Sequence, residues 1–109
     1  MEKIKFTYEW WDLELEVDPS KLENFEEQLL FWSGGKDRIA KENGDVKKAF
    51  LKMLVAEIIV MSMTMNVHQI NKEFEHKEGW LPLDIENGVK ICAMDCWHFD
   101  EDDFFIEQL

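Results

Sequence analysis

The sequence has few basic residues. Of its 109 residues, 12 are lysine or arginine and 24 are aspartate or glutamate, so the formal net charge is -12 at pH 7. Residues 1–54 hold twelve acids and nine bases, whereas residues 55–109 hold twelve acids and three bases. Negative charge repels phosphate groups, so direct binding to nucleic acid or to an anionic membrane is not expected. We expect a protein partner whose surface is neutral or basic.

The chain also lacks a long apolar run and a secretory signal. Its longest apolar run, "MLVAEIIVMSMTM", contains Glu57 and is shorter than the roughly 20 residues of a membrane span. No basic start leads into an apolar run with a small-residue cleavage site. These absences predict a cytoplasmic protein that does not enter a membrane.

Cysteine is scarce, and no catalytic constellation is visible. Cys92 and Cys96 are the two cysteines, and on an extended strand their α-carbons would lie about 13 Å apart, beyond disulfide reach. With His98 they make three potential zinc ligands, but a fourth is missing nearby. None of the serines has an obvious partner base. We expect a non-enzymatic protein with reduced thiols and no metal or cofactor.

Linkers, repeats and low-complexity segments are absent apart from the acidic end. The length is that of one domain, and 46% hydrophobic with 13% aromatic residues are enough for a core. We therefore predict a single domain over residues 1–109.

The first segment, residues 3–17, alternates in two runs and predicts a β-hairpin. With the turn at Trp10 and Trp11, the expected inner pairs are Ile4–Val17, Phe6–Leu15 and Tyr8–Leu13. The same register places Lys5 opposite Glu16 and Lys3 opposite Asp18 on the outer face.

Helices are predicted next. The first begins either at Asp18-Pro19 or at a capping box from Ser20 to Glu23, and it ends at a glycine pair. A short helical turn follows. Asn43-Gly44 then suits left-handed backbone geometry, and Asp45 suits the cap of the next helix.

That next helix is the centre of the protein. One predicted apolar arc consists of Val46, Ala49, Phe50, Met53, Leu54, Val60 and Met61. In the second half of the helix, Val55, Ile59 and Met63 add an apolar back face, which the C-terminal segment, a second copy or a partner must cover. Glu57 falls on the buried arc, where it would need a partner or a proton unless the helix is rotated so that it reaches water.

The remaining elements complete an α+β fold. "EGWLPLD" predicts a loop and "GVKICAMDCW" a strand. We predict a small antiparallel sheet, made of the N-terminal β-hairpin plus this late strand, packed against two to three helices.

The acidic and aromatic C-terminal segment, residues 98–109, is the main functional candidate. From His98 onward it has five acids, three phenylalanines and no lysine or arginine. A purely solubilising tail does not need apolar side chains, so we expect the segment to dock on its own helix or on another chain. The candidate partner-binding residues are Asp95, Asp100, Glu101, Asp102, Asp103 and Glu107.

The chain resembles a family of short phage and prophage proteins of unknown function. The resemblance spans roughly residues 28–103 and rests on "FWSGGKDRI", "NGDVKKAFLKMLVAEII", "EGWLPLD" and "GVKI". Its most specific parts are residues 31–34, 44–46 and 78–80. Ile85 and Glu86 stand where the family pattern has Gly-Ser. The resemblance implies a small accessory protein of a mobile element in a bacterial host cell, and it brings no catalytic residues.

Two functional hypotheses follow. In the first, the acidic second half binds a basic, nucleic-acid-binding surface of a host protein, as an anti-CRISPR-like inhibitor of the DNA-mimic type would. In the alternative, the chain is an interaction module that self-associates, as a homodimer for example, or binds through the back face of Val55, Ile59 and Met63.

Overall fold

The computed structural model describes residues 1–109 and is of the α+β class, as the sequence predicts. Its strands are β1 (Glu2–Tyr8), β2 (Trp11–Val17) and β3 (Val89–Met94). Its helices are α1 (Leu22–Phe31), α2 (Gly35–Lys41), α3 (Val46–Ser62) and α4 (Val67–Phe74). The strands form one antiparallel sheet in the order β1-β2-β3, so the predicted sheet of a hairpin and a late strand is confirmed.

The hairpin register differs from the predicted one by two residues. Ile4 lies opposite Leu15, Phe6 opposite Leu13 and Tyr8 opposite Trp11. On the outer face, Lys5 therefore faces Glu14 and Lys3 faces Glu16. A slip of two residues leaves every side chain on its predicted face, because side chains alternate with period two.

The position of the hairpin turn explains the difference. The turn residues are Glu9 and Trp10, and Glu9 has a positive φ of 56°. This turn makes Trp11 the first residue of β2, where its side chain is fully buried. Burial of an indole ring is a large favourable contribution, and a turn centred on Trp10 and Trp11 would leave that ring in solvent.

Helix α1 is preceded by a 3-10 turn, Pro19–Lys21, that Asp18 caps. The Asp18 carboxylate accepts hydrogen bonds from the Ser20 N–H at 3.0 Å and the Ser20 hydroxyl at 2.7 Å. The bond from the Ser20 side chain is the main cause that lowers the pKa of Asp18. Of the two predicted helix starts, the structure therefore has the one at Asp18-Pro19. The Ser20 hydroxyl donates its hydrogen bond to Asp18 and does not form the capping box with Glu23.

The junction before α3 matches its prediction. Asn43 and Gly44 take φ values of 57° and 86°, and the Asp45 carboxylate accepts a hydrogen bond from the Lys48 N–H at 3.0 Å. The helix then contributes Ala49, Phe50, Leu51, Leu54, Val55, Ile58 and Met61 to the core.

The buried face of α3 is rotated from the predicted arc. Val60 was placed on that arc but is 70% exposed, whereas Leu51 and Ile58 are buried. A helix that is apolar almost all round has no single hydrophobic face, so neighbouring elements decide its rotation. Helices α1 and α4 pack on α3, and Trp97 packs near its C-terminal end. No helix of the structure is both long and apolar enough to cross a membrane.

Candidate functional site

Trp97, the residue just before the C-terminal segment, anchors that segment to the fold. Its ring stacks on Trp11, with a centroid distance of 5.1 Å and an interplanar angle of 7°. Its indole N–H donates a hydrogen bond to the Ser62 hydroxyl at 2.8 Å. Phe99 in turn stacks on Trp97 at 5.8 Å. The chain is thus held against the fold as far as Phe99.

Asp95 lies just before this anchor and has a structural role. Its carboxylate accepts a hydrogen bond from the Asp12 N–H at 3.0 Å, and its carbonyl accepts one from the Trp11 indole at 2.8 Å. These bonds join the end of β3 to the start of β2. Asp95 remains exposed, so its carboxylate is both held in place and accessible.

The acids from Asp100 to Asp103 form a short exposed turn. The Asp100 carboxylate accepts a hydrogen bond from the Asp102 N–H at 3.0 Å and caps a 3-10 turn over Glu101–Asp103. The ion pairs of the structure involve none of these acids and not Glu107. Their negative charge is therefore not balanced by any cation of the fold.

Beyond the turn, the apolar side chains of the C-terminal segment are not part of the core. Phe104 is 65% exposed, and Phe105, Ile106 and Leu109 are almost completely exposed. Intramolecular docking thus extends only to Phe99 and not to Phe104, Phe105 and Ile106.

The apolar back face of α3 is largely covered within the chain. Val55 is 7% exposed and belongs to the core, and Ile59 is half-buried against it. Of the predicted interface, Met63 alone is half exposed. Val55 is therefore not accessible to a partner in this fold.

A groove of about 880 Å³ lies on another side of α3, and the sequence did not indicate it. It runs between the end of α1, helix α2, one face of α3 and the loop before Trp80. Its basic side chains are Arg38, Lys41, Lys52 and Lys77, its acids are Glu42, Glu57 and Glu78, and its aromatic walls are Trp32 and Trp80. These residues come from four separate segments, so no local pattern could reveal the groove.

Ion pairs order part of the groove. Lys52 contacts Glu42 at 2.6 Å, and Lys48 contacts the same carboxylate at 3.5 Å. The hydrogen bond from Lys52 is the main cause that lowers the pKa of Glu42. Glu57 pairs with Lys77 at 3.0 Å and its side chain is 34% exposed. Glu57 is thus an edge residue with a partner rather than a buried carboxylate.

One end of the groove is formed where two distant segments meet at Gly79. This glycine has a φ of +85°, and a β-carbon there would lie 2.5 Å from a Trp32 ring atom and 2.6 Å from Phe31. The rings of Trp32 and Trp80 are 6.2 Å apart. Residues 31–34 and 78–80, which carry the most specific part of the sequence resemblance, therefore converge at the groove.

The cysteines are free, and both Cys92 and Cys96 are exposed. No group of three or more His, Cys, Asp or Glu side chains in the structure is placed to hold a metal ion.

Sequence comparison places the chain among phage proteins. A family described as "Protein of unknown function (DUF2528)" matches residues 12–106. The chain belongs to this family. It is also 31% identical over 118 residues to the lambda prophage-derived protein ea10 of Escherichia coli O6:H1 (strain CFT073) and to protein ea10 of Escherichia phage lambda, in each case covering 98% of this chain and 96% of the relative. No solved structure matches the chain.

Membership of the DUF2528 family confirms the resemblance seen in the sequence. The matched range includes the groove and the C-terminal segment as far as Ile106. The relatives come from a phage and a prophage, so the chain belongs with phage-derived proteins of unknown function.

Proposed function

We propose that this phage accessory protein acts by binding another protein through its C-terminal segment, residues 98–109. The observation that carries the proposal is the exposure of Phe104, Phe105, Ile106 and Leu109 beside five acids that have no cationic partner. Exposed apolar side chains of this kind are typical of binding segments that order on their target.

The chemistry of the C-terminal segment defines the surface it would bind. The apolar side chains require a hydrophobic cleft, and the acids around them favour a basic rim. The anchor at Trp97 keeps the root of the segment fixed to the fold, which lowers the entropy lost when the rest of it binds.

In its more specific form, the proposal is that the basic rim is the nucleic-acid-binding surface of a host protein, such as a defence complex. The Asp95 and Asp100 carboxylates are held by backbone N–H groups, which supports the presentation of negative charge at defined positions. Binding would then exclude nucleic acid from the host protein, in the manner of an anti-CRISPR-like DNA mimic.

Affinity capture with charge and apolar variants tests the general proposal. The charge variant carries Asp100→Asn, Glu101→Gln, Asp102→Asn and Asp103→Asn, and the apolar variant carries Phe104→Ser and Phe105→Ser. A control carries Glu73→Gln and Glu75→Gln, two exposed acids near the end of α4. Each is tagged, incubated with bacterial lysate and compared with wild type by quantitative mass spectrometry.

We expect one host protein to be retained by the wild type and the control and lost from both segment variants. Equal retention by the charge variant would contradict the role of the acids. The more specific form has its own test, in which nucleic acid is titrated into the purified complex: simultaneous binding of both would rule out the mimic mechanism.

The alternative function, association through the back of α3, has weaker support. Val55 is buried, so the accessible apolar surface there is reduced to Met63 and part of Ile59. Salt separates the two modes, because binding by acids weakens as ionic strength rises and apolar burial does not.

A further inference from the structure

The groove is chemically unlike the rest of the chain. Four of the 12 basic residues line it, including Arg38, the single arginine, together with three acids. The whole chain has twice as many acids as bases. The groove is therefore a slightly cationic site on a strongly acidic protein, and it would attract an acidic ligand.

The groove also offers apolar contacts. The face of α3 that lines it contributes Met53, Ala56 and Val60, and Val60 is 70% exposed. The rings of Trp32 and Trp80 form its aromatic wall. Its volume of about 880 Å³ lies within the range of about 300–1,000 Å³ that suits binding of large apolar groups.

An acidic ligand with exposed aromatic side chains is present in the chain itself. The C-terminal segment combines five acids with Phe104, Phe105 and Ile106, which are exposed. We propose that the groove binds the C-terminal segment of a second copy of this chain. The phenyl rings lie against Trp32 and Trp80, and the acids face Arg38 and Lys41.

The position of the anchor directs the segment to another molecule. Trp97 donates a hydrogen bond to Ser62. Ser62 lies two residues after Val60, a residue of α3 that lines the groove. Two residues of helix correspond to about 200° of rotation. The segment is therefore anchored on the side of α3 roughly opposite to its own groove.

The resulting contact joins two different surfaces, the segment of one copy and the groove of the next. Such a head-to-tail contact closes into a ring or continues as a chain. This inference concerns the protein alone and does not depend on a host partner. Self-association would occupy the segment, so a host protein would have to compete with the groove for it.

Sedimentation of the purified full-length chain with matched charge reversals tests the inference. The groove variant carries Arg38→Glu and Lys41→Glu. The segment variant carries Glu101→Lys and Asp103→Lys, which leave the capping carboxylate of Asp100 in place. Analytical ultracentrifugation at low ionic strength gives the weight-average mass as a function of concentration for each variant and for an equimolar mixture of the two.

We expect the wild type to exceed the monomer mass of 13.0 kDa as concentration rises. Each variant alone should associate about tenfold or more weakly, because like charges meet at the contact. The mixture should regain association, because the unchanged acidic segment of the groove variant can enter the unchanged groove of the segment variant. A misfolded variant would not produce that recovery.

Three results would overturn the inference. The first is a wild-type mass that stays at the monomer value, which includes the case of a segment bound in its own groove. The second is association that the groove variant leaves unchanged, which would place the contact elsewhere, for example at Met63. The third is a mixture no more associated than its components. None of these results concerns host binding, so the proposed function stands or fails separately.

Discussion

Gly79 connects the sequence resemblance to the groove at the scale of a single residue. Its positive φ and the closeness of Phe31 and Trp32 mean that only a residue without a β-carbon fits without displacement. Gly44 has nearly the same backbone, with a φ of +86°, but has no atom within 4 Å of its would-be β-carbon. A comparison of substitutions at the two glycines therefore distinguishes the cost of backbone strain from the cost of steric overlap.

Replacing each glycine by alanine measures that packing contribution. We expect Gly44→Ala to lower the free energy of unfolding by about 1 kcal/mol, because only the left-handed backbone is strained. Gly79→Ala should cost about 2–4 kcal/mol, because the aromatic rings must also move. Urea denaturation of both variants checks this, and equal costs would show that Gly79 is not packed against the rings.

At the scale of elements, Glu42 joins the end of α2 to α3. Its carboxylate contacts Lys48 and Lys52 of α3 and its side chain is 13% exposed. Because the hydrogen bond from Lys52 favours the ionised form, the pKa of Glu42 in the folded chain lies below its ordinary value of 4.5. The carboxylate thus stabilises the folded state when it is ionised.

The pH dependence of stability tests this link. Since the folded pKa is depressed, the stabilisation is present above pH 4.5 and is lost as the pH falls through the folded value. At pH 7, Glu42→Gln should melt at a lower temperature than the wild type, and the difference should shrink as the solution is acidified below pH 4.5. Glu78→Gln, an exposed acid in the same groove, is the control. A Tm difference that is constant with pH would contradict the ion pair.

Element types were readable from the sequence because each rests on a local pattern. The hairpin followed from alternation, and the start of α3 followed from Asp45. The register of the hairpin and the buried face of α3 could not be predicted from the sequence. They depend on the burial of Trp11 and the exposure of Val60, which the complete fold determines. The groove was missed for the same reason: Trp32 and Trp80 lie far apart in sequence and come together only in the complete fold.

The whole molecule has two surfaces that differ in charge, the C-terminal segment and the groove. The C-terminal segment is acidic and apolar, and it leaves the fold after the stacked rings of Trp97 and Phe99. The groove is slightly basic and aromatic, and it lies on the opposite side of α3. The C-terminal segment and the groove thus differ in charge, and both expose aromatic side chains.

Site-specific photocrosslinking in cells tests whether the C-terminal segment binds a host protein. A photoreactive phenylalanine analogue is placed at Phe105, which is fully exposed, or at Glu73 on the surface of α4 as the control. The tagged chain is expressed in Escherichia coli, irradiated in the cells, and its adducts are identified by mass spectrometry.

We expect a discrete adduct between position 105 and one host protein, with no equivalent from position 73. An additional adduct with a second copy of the chain is compatible with this result. If position 105 yields no discrete adduct, the same adducts as position 73, or a second copy alone, the claim that the C-terminal segment binds a host protein is contradicted.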